Sequence, residues 1–163
     1  MTLDNGSKQR LAFLVRVVER EARHLAVTTE RLFDRPFGLE RAARLEEDIA
    51  LAERVDAFVS RFGRLQDTLG DKLIPALLTI LGERPGAAID NLDRAERLGW
   101  IPSADRWMEI RRYRNQMIHE YIEDPVVLVD ALEAGKAFVA TLLSAVSAIE
   151  KEIEARGLHG DQA

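Results

Sequence analysis

Along almost the whole chain, apolar residues recur at intervals of three and four, with charged residues between them. That spacing belongs to helices that bury one face. Leu11, Leu14, Val15, Val18, Ala22 and Leu25 predict a first helix, starting after Ser7 as its cap and running to about Phe33, where Asp34-Arg35-Pro36-Phe37-Gly38 ends it. A second helical stretch is predicted from about Leu39 to Leu81, on Leu45, Ile49, Ala52, Val55, Val59, Phe62, Leu65 and Leu69. Gly63, Gly70 and Pro75 interrupt this stretch, and Pro75, having no backbone donor, should kink or split it. Gly82-Glu83-Arg84-Pro85-Gly86 reads as a turn, followed by a short helix from about Ala87 to Leu98 and a break at Gly99-Trp100-Ile101-Pro102.

Ser103 can cap the next helix, with Arg106 where a capping-box glutamate would stand. This helix carries Trp107, Ile110, Tyr113, Met117, Ile118 and Tyr121 and should stop at Asp124-Pro125. The last helix is predicted from about Val126 to Ala155, with Gly157 as its C-cap and a frayed tail over 157–163. No segment alternates as a half-buried strand does, and no repeat of fixed period is present. The expectation is an all-α fold: an up-and-down bundle of four main helices plus a short extra one. It forms a single domain over 1–163, with its core between about 7 and 156.

Composition narrows the chemistry. The absence of cysteine excludes disulfides, thiol nucleophiles and thiolate metal sites. The N-terminal residues lack a basic segment followed by an apolar one, and the most apolar stretches, Leu73 to Leu81 and Ala137 to Ile149, fall short of the roughly 20 residues that span a bilayer. A cytoplasmic location, without membrane association, is therefore expected. The net charge of -5, from 23 Lys and Arg against 28 Asp and Glu, argues against a protein that coats nucleic acid through bulk electrostatics. A local exception lies between Arg106 and Arg114, where four arginines stand with one glutamate.

On the helix that follows Ser103, Arg114 lies at the edge of the stripe formed by Trp107, Ile110, Tyr113, Met117 and Tyr121. A guanidinium at such an edge is costly to bury alone, so it needs an acid such as Asp67, a subunit interface or an anionic ligand. Asn115 and His119, four apart, share a face, with Arg112 seven before His119 on nearly the same face. Arg114 and His119 diverge by about 140° on a regular helix, so Arg114 must reach around, the helix must deform, or a second subunit must complete the site. Arg111 and Arg112 read first as a solvated face and second as RNA contacts, while Arg61, Arg64 and Asp67 read first as helix–helix contacts. His24 and His159 read as surface residues, and Trp100 and Trp107 as core or interface anchors. No convincing set of metal ligands is found.

The string Arg114-Asn115-x-x-x-His119-x-Tyr121 resembles the signature of the HEPN family: an arginine, a polar residue, a short gap and a histidine. With four residues between Arg114 and His119, and Tyr121 two beyond the histidine, it is similar to HEPN toxins paired with a minimal nucleotidyltransferase antitoxin. Arg61-Phe62-Gly63-Arg64-Leu65-Gln66-Asp67 resembles the same proteins less specifically. The resemblance implies a homodimeric, metal-independent endoribonuclease that uses no cofactor and acts on RNA. It implies His119 as the acid–base group, Arg114 as the phosphate holder and Asn115 as an orienting residue, with Asp67 and Arg61 as candidate supports and Arg111 and Arg112 as candidate RNA contacts. It further implies Tyr121 as the residue that the partner nucleotidyltransferase adenylylates to silence the toxin. Such proteins have also been described as the substrate-binding subunit of a two-component nucleotidyltransferase, in which Arg114 and His119 would only bind nucleotide phosphate or the partner.

Overall fold

A computed structural model describes residues 5–119 and 123–158, apart from the side chain of His119. The described residues form seven α-helices, α1 (Asn5–Leu32), α2 (Leu39–Ala43), α3 (Ile49–Asp67), α4 (Ile74–Ile80), α5 (Ala88–Arg97), α6 (Ala104–His119) and α7 (Pro125–Ala155), with a π-helical segment, Thr68–Leu73, joining α3 to α4. Among them there is no strand, and no helix is long and apolar enough to cross a membrane.

Four long helices, α1, α3, α6 and α7, build an all-α bundle. Their directions follow from which side chains meet. Arg61 of α3 reaches Thr28 of α1 while Thr68, further along, reaches Glu21, so α1 and α3 run antiparallel. Arg111 meets Asp71 while Arg114 meets Asp67, so α6 runs against α3. Trp107 packs edge-on to Phe138 and Met117 lies against Gly135, so α7 runs against α6. Lys136 lies over Phe33 and Glu150 stands close enough to Glu19 to be perturbed by it, which sets α7 antiparallel to α1 as well. The outcome is up-and-down connectivity around one core. Phe58, Phe62, Trp107 and Phe138 line that core, with Phe33 at its edge.

Local chemistry accounts for four of the helix ends. Asp48 accepts from the backbone N–H of Leu51 at 3.0 Å and starts α3. Ser103 Oγ accepts from Arg106 N at 3.1 Å, as the sequence suggests. Asp124 accepts from Val126 and Val127, with Pro125 in the first turn of α7. At the end of α7, Gly157 N donates to Glu154 O and Leu158 N to Ile153 O, with Gly157 at φ 63°. This paired motif needs the left-handed conformation that glycine adopts without strain.

Four expectations are corrected. Ser7 lies inside α1, which already runs from Asn5, so it is not the cap. The predicted stretch from Leu39 to Leu81 is divided into α2, α3, the π segment and α4, because Asp48 opens a new helix and Pro75 cannot continue the α ladder. At the π segment, Ile74 N donates to Leu69 O, five residues back, and Pro75 then enters the first turn of α4, where its missing donor costs least. Ile49, placed on the buried stripe by its spacing, is 70% exposed because it sits in the first turn of α3. Finally, the tail does not fray from 157: Leu158 is buried against the core. Residues 159–163, including His159, lie outside the described residues.

Candidate functional site

The site begins with a matched pair of glycines on α3 and the π segment. A Cβ on Gly63 would come within 3.0 Å of Arg114 Cδ, and one on Gly70 within 3.2 Å of Trp107 Nε1. These glycines are seven residues apart, as are Trp107 and Arg114, and the two elements run antiparallel. Each glycine therefore gives one large α6 side chain room to lie against the α3 backbone. The two glycines do not break the helix. They form slots that fix the register of α6. Gln66, buried between them, donates to Trp107 O at 3.3 Å and reinforces that register.

With its stem over Gly63, Arg114 donates through Nη1 to Asp67 Oδ1. Its side chain is 16% exposed and that of Asp67 45%. One turn along, Arg111 Nη2 stands 3.5 Å from Asp71 Oδ2. The predicted alternative of an ion pair with Asp67 is thus realised. A second, local contact is made with the next residue: Arg114 Nη2 lies 3.5 Å from Asn115 Oδ1. Asn115 is exposed and sits one turn before His119. The polar edge therefore runs from Asp67 through Arg114 to Asn115 and on toward the His119 position at the end of α6. Arg114 Nε is buried without a hydrogen-bond partner among the described residues.

The other predicted residues divide clearly. Arg61 turns away from this edge and donates to Thr28 Oγ1 and to His24 O, so it ties α3 to α1 and does not support Arg114. Arg111 is committed to Asp71. Arg112 is exposed and lines a cavity of about 160 Å³ with Glu109, Tyr113 and Gln116, on the face it shares with Asn115. Trp107, Ile110 and Met117 are buried and Tyr113 packs against the core, as the stripe predicted, whereas Ile118 is exposed. His119 ends α6. The predicted modification site Tyr121 lies outside the described residues.

A second carboxyl group sits behind Asp67. Glu21 of α1 meets Thr68 in the first turn of the π segment, and its pKa is raised, chiefly because burial penalises the charged form; Asp67 adds to the rise, while the Thr68 hydrogen bond, Arg64 and Lys72 oppose it. The Thr68 hydroxyl lies 3.1 Å from Glu21 Oε1 and 2.9 Å from Arg64 O. One hydroxyl has one hydrogen. The Thr68 hydrogen is therefore shared between the Glu21 carboxyl and the Arg64 carbonyl, which leaves the carboxyl with only part of a donor. Spacing along α1 gave no sign of this group, because Glu21 adjoins the stripe residue Ala22 and its partner lies 47 residues away.

Among the described residues no group of three or more His, Cys, Asp or Glu could hold a metal ion. Comparison with protein-family models, with curated proteins and with solved structures gives no match.

Proposed function

We propose that the chain is a HEPN-type toxin: a metal-independent endoribonuclease that works as a homodimer and is neutralised by a nucleotidyltransferase antitoxin, through adenylylation of Tyr121. The observation that supports this reading is the reach of Arg114 to Asn115. The motif's arginine faces 140° away from its histidine by helical geometry, yet its guanidinium comes to the side chain that shares the His119 face. Asp67 holds the other terminal nitrogen of the same guanidinium, Nη1.

The chemistry asks little more of the protein. RNA carries its own nucleophile, the 2′-hydroxyl. Cleavage needs a base for that proton, an acid for the leaving 5′-oxygen and positive charge near the crowded phosphate. His119 would do the proton work, since imidazole titrates near neutrality. Arg114 would offer a planar fork to the phosphate, oriented through Asn115. In a homodimer, two such edges would supply one histidine as base and the other as acid. Adenylate on Tyr121 would put a phosphate where substrate phosphate must go.

A second reading has one specific observation in its favour: Asp67 already neutralises much of the charge of Arg114. On that reading the chain is the non-catalytic binding subunit of a two-component nucleotidyltransferase. Expression of the chain alone separates the two. The toxin reading expects arrested growth and fragmented RNA, relieved by His119→Ala. Equal effects from both forms would reject it.

A further inference from the structure

We propose that a trough on the far side of α3 from Arg114 binds the phosphates of a single-stranded nucleic acid backbone. The trough consists of two cavities of about 270 and 240 Å³ that share Ala50 and Arg54. It runs from the turns on either side of α2 along the groove between α1 and the first half of α3. Six arginines line it, Arg31, Arg35, Arg41, Arg44, Arg54 and Arg61, against three acids, a local excess of +3 in a chain whose net charge is -5.

The balance of committed and uncommitted groups matters more than the count. Asp34 pairs with Arg41, and Asp48 caps α3. Arg41 also donates to the carbonyls of Leu32 and Arg35 and lies over the Phe37 ring, and Arg61 donates to Thr28 and His24 O. Those two arginines build the walls. The side chains of Arg31, Arg35, Arg44 and Arg54 make no hydrogen bond or ion pair with any described residue, so four guanidinium groups stay free for a ligand, with Glu53 the one lining acid not engaged. The positive charge is all guanidinium, whose planar fork suits phosphate oxygens. A linear site with several forks fits a ligand that repeats its charge along its length. The apolar lining is limited to Ala50, Leu51 and Ala57, which gives an acidic protein no large anchor to bury.

The trough is independent of the proposed cleavage site. From Arg54 to Asp67 the α3 axis covers about 20 Å, and Arg61, at the near end about 9 Å of axis from Asp67, is turned to α1 by Thr28 and the His24 carbonyl. Binding here would place a strand on the molecule whether or not the chain cuts it.

The test is fluorescence anisotropy of the full chain with a labelled 2′-O-methyl-uridine 20-mer, which has no free 2′-hydroxyl and cannot be cleaved by the proposed route. Native protein is expected to bind it with strong salt dependence. Arg35→Gln/Arg44→Gln/Arg54→Gln is expected to weaken binding at least about tenfold in low salt. It should also make the slope of log K against log salt shallower by about 2, from roughly 0.7 per phosphate contact on a single strand. Should the triple variant fail to fold, Arg44→Gln alone, an exposed position outside any helix, should lower the slope by about 0.7. The proposal is overturned if native protein shows no salt-sensitive binding, if the folded variants bind as native protein does, or if poly-glutamate of equal charge competes as well as the oligomer.

Discussion

Replacing Asp67 by alanine removes the carboxylate that holds Arg114. Exposed ion pairs are worth about 0.2–1 kcal/mol, whereas removing one partner of a buried pair costs about 3–5 kcal/mol. This pair lies between those limits, because Asp67 is half exposed and Arg114 is only 16% exposed. Asp67→Ala leaves a mostly buried guanidinium without its acid and with Nε already unpartnered, and should cost about 2 kcal/mol. Arg114→Ala leaves Asp67 able to turn to water, so its cost comes mainly from lost packing over Gly63 and should be smaller, about 1 kcal/mol. In the double variant the stranded charge is gone, so the two costs should fail to add by about 1 kcal/mol. Urea denaturation of the four proteins measures this. A coupling below about 0.3 kcal/mol would refute the claim that Asp67 is what holds Arg114 in place.

Three further outcomes are expected. Gly63→Ala adds a methyl group 3.0 Å from Arg114 Cδ in a helix that would otherwise gain about 1 kcal/mol from the substitution; the crowding should cancel that gain and RNA cleavage should fall, and a full gain of about 1 kcal/mol with unchanged cleavage would contradict the slot. Glu21→Gln should stabilise the protein at pH 7, because a neutral amide escapes the penalty that burial puts on the charged carboxyl and can still accept from Thr68. The sign follows from linkage: the folded-state pKa of Glu21 is raised above 4.5, so the native state keeps this proton as pH climbs, and native stability drops from pH 4.5 up through the raised value. The advantage of the glutamine form should therefore vanish below about pH 4.5, and denaturation midpoints across pH 4–8 that stay parallel would contradict it. Asp48→Ala should cost about 1 kcal/mol by loss of the α3 cap, seen as a lower thermal midpoint; an unchanged midpoint would mean that the break after α2 has another cause.

Most helices could be read from local signals, since caps, prolines and apolar spacing act within one or two turns. Pro125, Gly157 and Ser103 each do what their residue type suggests. The Arg114–Asp67 pair was foreseeable too, because a guanidinium at the edge of an apolar stripe demands an acid. Elements whose cause is non-local were harder to read. Gly63 and Gly70 look like interruptions in their own segment, and their use becomes visible only when Trp107 and Arg114 lie over them. Ile49 continues the periodic stripe, yet the cap at Asp48 starts a new helix in which it faces solvent. The arginines of the trough are spread over α1, α2, α3 and the intervening turns, so the sequence does not show that Arg54 and Arg61 join the four between Arg31 and Arg44.

The most direct measurement of the central claim is cleavage by the purified protein in excess chelator, with the ends of the products identified. The account predicts fragments ending in 2′,3′-cyclic phosphate from the native chain, and a loss of at least about a hundredfold in rate for Arg114→Ala and for His119→Ala. Intact RNA with the native protein, or fragments produced equally by both variants, would contradict it.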